Sequence, residues 1–259
     1  MNIKYSVSCV VLALGLYLPA KAQTVLDLAT AGNFAVLAVS TVTNTGNTVV
    51  NGNIGVSPGT SVTGFGPGVV NGTIYAGGAT AAQAQTDLVT AYNFATGESV
   101  TNPGVSAFAN QTLTPGVYNS GSSIGVTGTV TLDGNSLANP VFVFQMGSTL
   151  TTAISSQIVL TNGARAENVF WQVGSSATLG GSSTFVGTIL ANTAITAGTG
   201  AIVDGRLLAK GGAVTLDGNT ISVPVGAVPE PAGTAALFAG FAVLVIGIRE
   251  IRRRLVLNH

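Results

Sequence analysis

The sequence VGTILA (186–191) returns eighteen positions later as DGRLLA (204–209). A second pair of segments also matches, FQMGS (144–148) and WQVGS (171–175). Both contain an aromatic residue, Gln, an apolar residue, Gly and Ser in this order. A period of about 18 to 20 residues suits one coil of a three-sided solenoid, with about six residues on each side. We therefore predict a mainly β protein, a right-handed β-solenoid of stacked parallel strands. An antiparallel sandwich, which also contains many short strands, is the alternative.

One segment departs from the strand pattern. Residues 79–96, ATAAQAQTDLVTAYNFAT, are rich in helix formers and contain neither Gly nor Pro, so they predict one long α-helix that ends near Gly97. We expect this helix to lie along one flank of the solenoid, where it would cover an apolar side and protect strand edges. The residues predicted to form its apolar face are Ala82, Leu88, Val89, Tyr92 and Ala95.

The N-terminus has the organisation of a secretory signal peptide. Residues 1–22 combine a basic residue, Lys4, with an apolar core and a small-x-small site at Ala20-Lys21-Ala22. We expect signal peptidase to remove this segment, and Cys9 with it. The remaining body, 23–227, is then a single exported domain without cysteine.

The C-terminal residues 228–259 form a second targeting segment. Pro229-Glu230-Pro231 precedes an uncharged apolar run, 232–248, which as a helix of roughly 25 Å is long enough to cross a thin bilayer. The basic residues that follow are expected to stay in the cytoplasm. They include Arg252, Arg253 and Arg254. One interpretation is a permanent membrane anchor.

The order of these three parts resembles the PEP-CTERM sorting tail of Gram-negative bacteria. The resemblance implies an exosortase as partner, transient anchoring in the inner membrane through 232–248, and removal of the tail. It also implies delivery to the cell surface or the extracellular space.

The body of the chain has few groups that could perform chemistry. Between residues 23 and 227 there are three basic and seven acidic residues, and the single His of the chain is His259. His-based triads, thiol catalysis, zinc sites of the His/Cys kind and disulfides are thereby excluded from the body. The low basic content argues against a nucleic acid as ligand. We predict a protein that is not an enzyme and needs no cofactor or metal, and we leave its oligomeric state open.

The remaining charged residues and the single Trp have structural interpretations. Asp133 and Asp217 both lie in the sequence TLDGN, which could supply paired carboxylates or calcium ligands but is better explained as a repeated turn. Two neighbouring charge pairs, Arg165 with Glu167 and Asp204 with Arg206, are expected on the surface. Trp171 is expected in the core.

Several blocks in the same order resemble the microbial ice-binding protein family. They are AGNFAVLAVSTVTNTGNTVVNGNIGVSPGTSVTGF (31–65), QTLTPGVY (111–118), NVFWQVGS (168–175) and GRLLA (205–209), within a region of roughly 26–222. The resemblance implies a discontinuous three-sided β-solenoid with a long helix alongside. It also implies that one flat side of the solenoid binds ice.

The coils contain one type of strand in which a buried apolar residue is flanked by small residues, mostly Thr or Ser, although Ala194 and Ala213 interrupt one of the two rows. Because strand side chains alternate, the flanking residues would form an outward grid, with coils about 4.8 Å apart and residues about 6.7 Å apart along each strand. Threonine suits such a grid because its β-branched side chain has little rotamer freedom to lose. Thr193-Ala194-Ile195-Thr196 also matches a Thr-Ala/Gly-x-Thr pattern found in the family. The candidate ice-binding residues are Thr129, Thr131, Thr149, Thr151, Ser176, Thr178, Thr193, Thr196 and Thr215.

The hypothesis that follows is an exported ice-binding protein that limits ice growth or recrystallisation, with ordered water as its ligand. The alternative is a structural or adhesive component of a cell-surface or biofilm matrix without ice affinity. A soluble β surface also favours threonine, so the threonine column alone does not decide between them.

Overall fold

The computed structural model describes residues 25–224, and this part of the chain is mainly β. Its twenty strands pair in parallel throughout and build one continuous, solenoid-like sheet. One α-helix, α1 (Gly78–Gly97), accompanies the sheet, together with 3-10 helices at Ala29–Asn33 and Ala166–Asn168. The predicted β-solenoid is thereby confirmed, and the antiparallel sandwich is wrong because each strand pairs in parallel with its neighbours.

Three stacks of strands form the three sides of the solenoid. The first, called the helix side, contains in stacking order β7 (Ile74–Ala76), β4 (Asn53–Val56), β1 (Phe34–Ala38), the second halves of β18 (Ile202–Ala209) and β16 (Thr184–Ala191), β14 (Val169–Val173), β11 (Phe142–Met146) and β9 (Gly116–Ser120).

The second stack is called the threonine side. It contains β5 (Ser61–Thr63), β2 (Thr41–Thr45), β19 (Val214–Asp217), β17 (Ile195–Ala197), β15 (Ala177–Leu179), β12 (Leu150–Thr152) and the first halves of β10 (Ile124–Asp133) and β8 (Ala107–Leu113).

The last stack is called the third side. It contains β6 (Val69–Val70), β3 (Val49–Asn51), β20 (Thr220–Ser222), the first halves of β18 and β16, β13 (Gln157–Thr161) and the second halves of β10 and β8.

The stacking order of the coils differs from their order in the chain. The strand β1 pairs with β18, so that Val36 lies beside Leu207, while β2 pairs with β19 and β3 with β20. The N-terminal coils thus continue the stack beyond the last coil of the chain. Helix α1 contacts β7, β4, β1, β14 and β11 and carries the chain back along the helix side to the opposite end. The solenoid is therefore discontinuous in sequence.

The sequence repeats correspond to strand register. Residues 186–191 of β16 pair one to one with residues 204–209 of β18, and residues 142–146 of β11 pair with residues 169–173 of β14. Glycine is required where the chain turns from the third side to the helix side. Gly187 has a φ of +105°, and a Cβ atom on Gly205 would lie 1.9 Å from the carbonyl oxygen of Gly187.

The inside of the solenoid is filled by apolar side chains, with an aromatic stack at its centre. The rings of Phe144 and Trp171 stack with their centroids 3.9 Å apart, and Phe108, Tyr118 and Phe185 extend this cluster. Trp171 is fully buried, and its indole N–H donates to the carbonyl oxygen of Val186 at 3.0 Å. The predicted core position of Trp171 is confirmed.

Helix α1 packs on the helix side through a face that agrees in part with the predicted one, since Leu88, Tyr92 and Ala95 are buried as predicted. Its predicted range, 79–96, is correct to within one residue at each end. However, Ala82 and Val89 are exposed, because the buried stripe runs along the neighbouring positions of the helix. The buried residues are Ala81, Ala84, Leu88, Ala91, Tyr92 and Ala95.

The predicted signal peptide, 1–22, and the predicted sorting tail, 228–259, lie outside the described residues. Between Val25 and Pro224, no helix combines the length and apolar character that a membrane span requires.

Candidate functional site

An unbroken row of threonines runs along the threonine side. In β5, β2, β19, β17, β15 and β12 the central apolar residue points inward, while the next residue points outward and is exposed. The strand register places these outward residues beside one another in adjacent coils. In stacking order the row consists of Thr63, Thr43, Thr215, Thr196, Thr178 and Thr151.

A second row lies parallel to the first, two positions earlier in each strand. Its members are half-buried rather than exposed. Two hydrogen bonds tie it to neighbouring coils: the hydroxyl groups of Thr149 and Ser123 lie 2.8 Å apart, and the hydroxyl oxygen of Ser176 accepts from the backbone N–H of Ala194 at 3.3 Å. In stacking order the row consists of Ser61, Thr41, Ala213, Ala194, Ser176 and Thr149.

Together the two rows form a flat and uncharged surface. At a coil spacing of about 4.8 Å, six threonines extend over roughly 24 Å, and the rows lie about 6.7 Å apart. All members of both rows are Thr, Ser or Ala. A surface of this kind has no charged side chain that would order water around itself. The backbone of the parallel sheet sets the regular spacing of its side chains.

The predicted placement of Thr129 and Thr131 in this column is wrong. Both residues lie on the third side, where Thr131 pairs with Thr112 and Val159. The reason is that β10 is a ten-residue strand that crosses from one side to the next near Gly128, which has a φ of +63°. The half of β10 that belongs to the threonine side is 124–126, so Gly125 takes the position next to Thr151.

The other predicted residues lie together. Thr149, Thr151, Ser176, Thr178, Thr196 and Thr215 all belong to the two rows. Thr193 is exposed at the corner that precedes β17, where its backbone N–H donates to the carbonyl oxygen of Ser175 at 3.0 Å. Its side chain therefore lies beside the two rows but is part of neither.

Sequence reasoning missed the N-terminal part of the surface. The sequences TVT (41–43) and SVT (61–63) have the same pattern as the predicted strands, and Thr43 and Thr63 complete the exposed row. This alternation could have identified both segments as candidates. The pairing of β2 with β19 could not have been inferred in the same way, because the two strands are far apart in the chain.

The alternative candidates have structural roles. One carboxylate oxygen of Asp133 accepts from the backbone N–H of Asn135 at 2.7 Å, and the carboxylate of Asp217 accepts from the hydroxyl group of Thr199. Both acids lie where a strand turns, which confirms the turn interpretation. Within residues 25–224, no three metal-ligating side chains come together.

The two charge pairs differ from each other. Arg165 and Glu167 form the expected surface pair, with a nitrogen and an oxygen 3.6 Å apart. The expectation for Arg206 is wrong, since its side chain is buried and donates to the carbonyl oxygen of Gly32 at 2.9 Å. Burial lowers the pKa of Arg206, while Glu167 and Asp204 act in the opposite direction. The pKa of Asp204 is raised by burial and by Glu167.

Comparison with known proteins identifies the family. The pattern that defines the Ice-binding-like family matches residues 36–222. The ice-binding protein of Nostoc sp. (strain HG1) is 46% identical over 266 residues, which cover 98% of each chain. The crystal structure of an ice binding protein from an Antarctic biological consortium superposes with a TM-score of 0.78 at 45% identity, over 80% of this chain and 94% of that chain. The structure of the ice-binding protein from Antarctomyces psychrotrophicus gives a TM-score of 0.76 at 46% identity, over 78% of this chain and 100% of that chain. The chain belongs to the Ice-binding-like family.

Proposed function

We propose that this protein binds ice through the threonine side and thereby limits the growth or recrystallisation of ice crystals. The observation that carries the proposal is the unbroken exposed row from Thr63 to Thr151, placed in register by six adjacent coils. Family membership supports the same function. A right-handed winding of the coils, the usual sense for parallel crossover connections, is part of this proposal.

The proposed mechanism needs no catalytic group. Each threonine presents a methyl group, beside which water can order, and a hydroxyl group that can hydrogen-bond to that water. The β-branched side chains are held in few rotamers, so little conformational entropy is lost when the surface meets a crystal. Because the parallel sheet fixes the spacing of the side chains, the surface is organised before binding. Ice that grows around adsorbed molecules must curve, which opposes further growth.

The central test replaces one threonine of the row by a bulky residue. Thr196→Tyr and Thr151→Tyr should each remove most thermal hysteresis and recrystallisation inhibition, because a protruding ring prevents close approach of the flat surface. Both side chains are exposed, so the melting temperature should be close to that of the wild-type protein.

Thr129→Tyr is the matched control. Thr129 is also an exposed threonine on a strand, but it lies on the third side. Full activity is expected for this variant. Wild-type activity of Thr196→Tyr and Thr151→Tyr, with loss of activity in Thr129→Tyr, would contradict the assignment of the surface.

The terminal segments extend the proposal to localisation. We infer from their sequences that signal peptidase removes residues 1–22 and that an exosortase recognises Pro229, Glu230 and Pro231, with the Arg252–Arg254 cluster held on the cytoplasmic side of the inner membrane. The test is fractionation of a Gram-negative host that has an exosortase. The wild-type chain should reach the cell surface or medium, whereas Glu230→Ala should stay in the membrane fraction. Identical distributions of the two would contradict the sorting role of the tail.

A further inference from the structure

A cavity lies at the end of the helix side that is formed by the N-terminal coils. It has a volume of about 510 Å³, within the range of roughly 300 to 1,000 Å³ that is usual for small-molecule sites. Its walls come from the 3-10 helix Ala29–Asn33, from β4 and β7, and from the first turns of α1. The cavity is thus built by elements other than the threonine side.

One aromatic ring of fixed orientation forms part of the cavity wall. Tyr75 is half-buried and meets the ring of Phe34 edge to face, with centroids 5.6 Å apart and an angle of 63° between the planes. Phe34 is buried in the apolar cluster beneath helix α1. The contact therefore connects the Tyr75 ring to the rigid part of the fold, which leaves the ring preorganised for stacking.

The polar part of the cavity wall is neutral and is available to a ligand. Among residues 25–224, the side-chain amide of Asn33 and the hydroxyl groups of Thr80 and Tyr75 make no hydrogen bond to another protein group, and Asn33 and Thr80 are exposed where they line the cavity. The full lining is Thr30, Asn33, Phe34, Asn53, Tyr75, Ala79, Thr80 and Gln83, none of which carries a charge.

Other hydrogen bonds hold the walls in place. The amide nitrogen of Asn53 donates to the carbonyl oxygen of Asn33 at 2.9 Å, and its amide oxygen accepts from the backbone N–H of Thr73 at 2.9 Å. On the opposite wall, Thr30 and Gln83 both donate to the carboxylate of Asp87. The 3-10 helix, the terminal coil and α1 are thereby fixed relative to one another.

We propose that this cavity binds one neutral sugar ring of a polysaccharide, at a site separate from the ice-binding surface. A pyranose has an apolar face of C–H groups, which suits the Tyr75 ring, and hydroxyl groups around its edge that both donate and accept. The free amide of Asn33 and the hydroxyl groups of Thr80 and Tyr75 supply the complementary groups. Because no charged side chain lines the cavity, nothing there would compensate the desolvation of a charged sugar, so the ligand is a neutral one.

The test is calorimetric titration of the full-length protein with defined oligosaccharides. The probes are cellopentaose, maltopentaose, xylopentaose and mannopentaose, with an alginate pentamer as the anionic comparison. We expect at least one neutral probe to bind with a dissociation constant below about 1 mM and the alginate probe to bind at least tenfold more weakly. No measurable binding of any neutral probe, or tighter binding of alginate, would overturn the proposal.

Variants then locate the site. Tyr75→Ala should weaken binding of the neutral probe by about tenfold or more, whereas Tyr75→Phe keeps the ring and should weaken it by only about threefold. Thr80→Val, which removes one hydroxyl group from an exposed position at nearly constant volume, should also cost about threefold.

The two proposed sites can be tested independently. Thr196→Tyr should bind the oligosaccharide as the wild-type protein does, and Tyr75→Phe should keep full activity on ice. Equal affinity of Tyr75→Ala, Thr80→Val and the wild-type protein would overturn the cavity assignment whatever the outcome of the ice assays.

Discussion

At the scale of single residues, the charges of this domain are few and serve its scaffold. Asp87 of α1 accepts hydrogen bonds from the backbone N–H and the hydroxyl group of Thr30 and from the side chain of Gln83. The hydrogen bond from the Thr30 hydroxyl group is the main reason that the pKa of Asp87 lies below its ordinary value of 3.8, while desolvation, the next largest cause, acts in the opposite direction. The carboxylate thus joins the N-terminal 3-10 helix to α1.

This arrangement predicts a dependence of stability on pH. Because the pKa of Asp87 is lower in the folded than in the unfolded chain, its contribution is present above about pH 4 and is lost as the pH falls through the folded pKa. Asp87→Asn should lower the melting temperature slightly at pH 7 and should make its decline between pH 5 and about pH 2 less steep. The effect is small because the carboxylate is in contact with solvent.

Asp204 provides a control of opposite sign. Its pKa is raised by burial and by Glu167, so its protonation favours the folded state as the pH falls. Asp204→Asn should therefore make the decline of the melting temperature in acid steeper. If the two variants changed the pH profile in the same direction, the assignment of these roles would be wrong.

At the scale of elements, helix α1 is held to the solenoid by two buried glutamines that occupy the same position in two copies of the sequence repeat. Gln145 and Gln172 occupy equivalent positions in β11 and β14, and both are only 4% exposed. Gln172 donates to the hydroxyl group of Tyr92 at 2.7 Å. Gln145 donates to the carbonyl oxygens of Ala95 at 2.8 Å and Glu98 at 3.0 Å, where the helix ends. These carbonyl groups have no further turn of helix to pair with.

Removing the amide of Gln145 should destabilise the folded protein. Gln145→Ala leaves helix-terminal carbonyl groups buried without a donor and opens space beneath the helix, so the free energy of unfolding should fall by about 2 to 3 kcal/mol. Chemical denaturation of the purified protein measures this change. Gln85→Ala is the matched control, because Gln85 is half-buried and makes one longer bond, 3.3 Å to the carbonyl oxygen of Ala209. A loss of less than about 1 kcal/mol is expected there, and equal losses in both variants would contradict the capping role.

At the scale of the whole molecule, the threonine side is one surface made from two separate parts of the chain. Thr43 and Thr63 belong to the N-terminal coils, whereas Thr215, Thr196, Thr178 and Thr151 belong to the coils that follow α1. The junction is the pairing of β2 with β19, where Thr43 lies directly beside Thr215. The two parts therefore act as a single surface only when this junction is formed.

Thr43→Tyr tests this continuity. If ice binds across the junction, this variant should lose most thermal hysteresis, as is expected of Thr196→Tyr, although the two positions lie on opposite sides of α1 in the sequence. Thr220→Tyr is the control, since Thr220 is an exposed strand residue of the third side beside the same junction. Unchanged thermal hysteresis in Thr43→Tyr would limit the binding surface to the coils after α1.

The sequence was informative about the coil repeat and about the extent of the helix. The repeat of 186–191 at 204–209 predicted the register of β16 and β18 correctly, and the absence of Gly and Pro from 79–96 predicted the extent of α1. The error at Thr129 and Thr131 has a physical cause. A β-solenoid uses similar alternation on all three sides, so alternation alone does not tell on which side of a corner a strand lies. The position of that corner depends on backbone angles such as that of Gly128.

The pairing of Val36 with Leu207 also has a consequence for how the molecule is made. A chain that emerges from its N-terminus produces β1, β2 and β3 first, yet the strands on which they rest are synthesised last. Closing so long a loop is slow, because its entropic cost precedes the contacts that compensate it. The coils that follow α1 can stack on one another as they appear, with neighbours close in sequence. The segment that is made first is thus the last to dock, and the polypeptide must be translated almost to its end before the threonine side is complete.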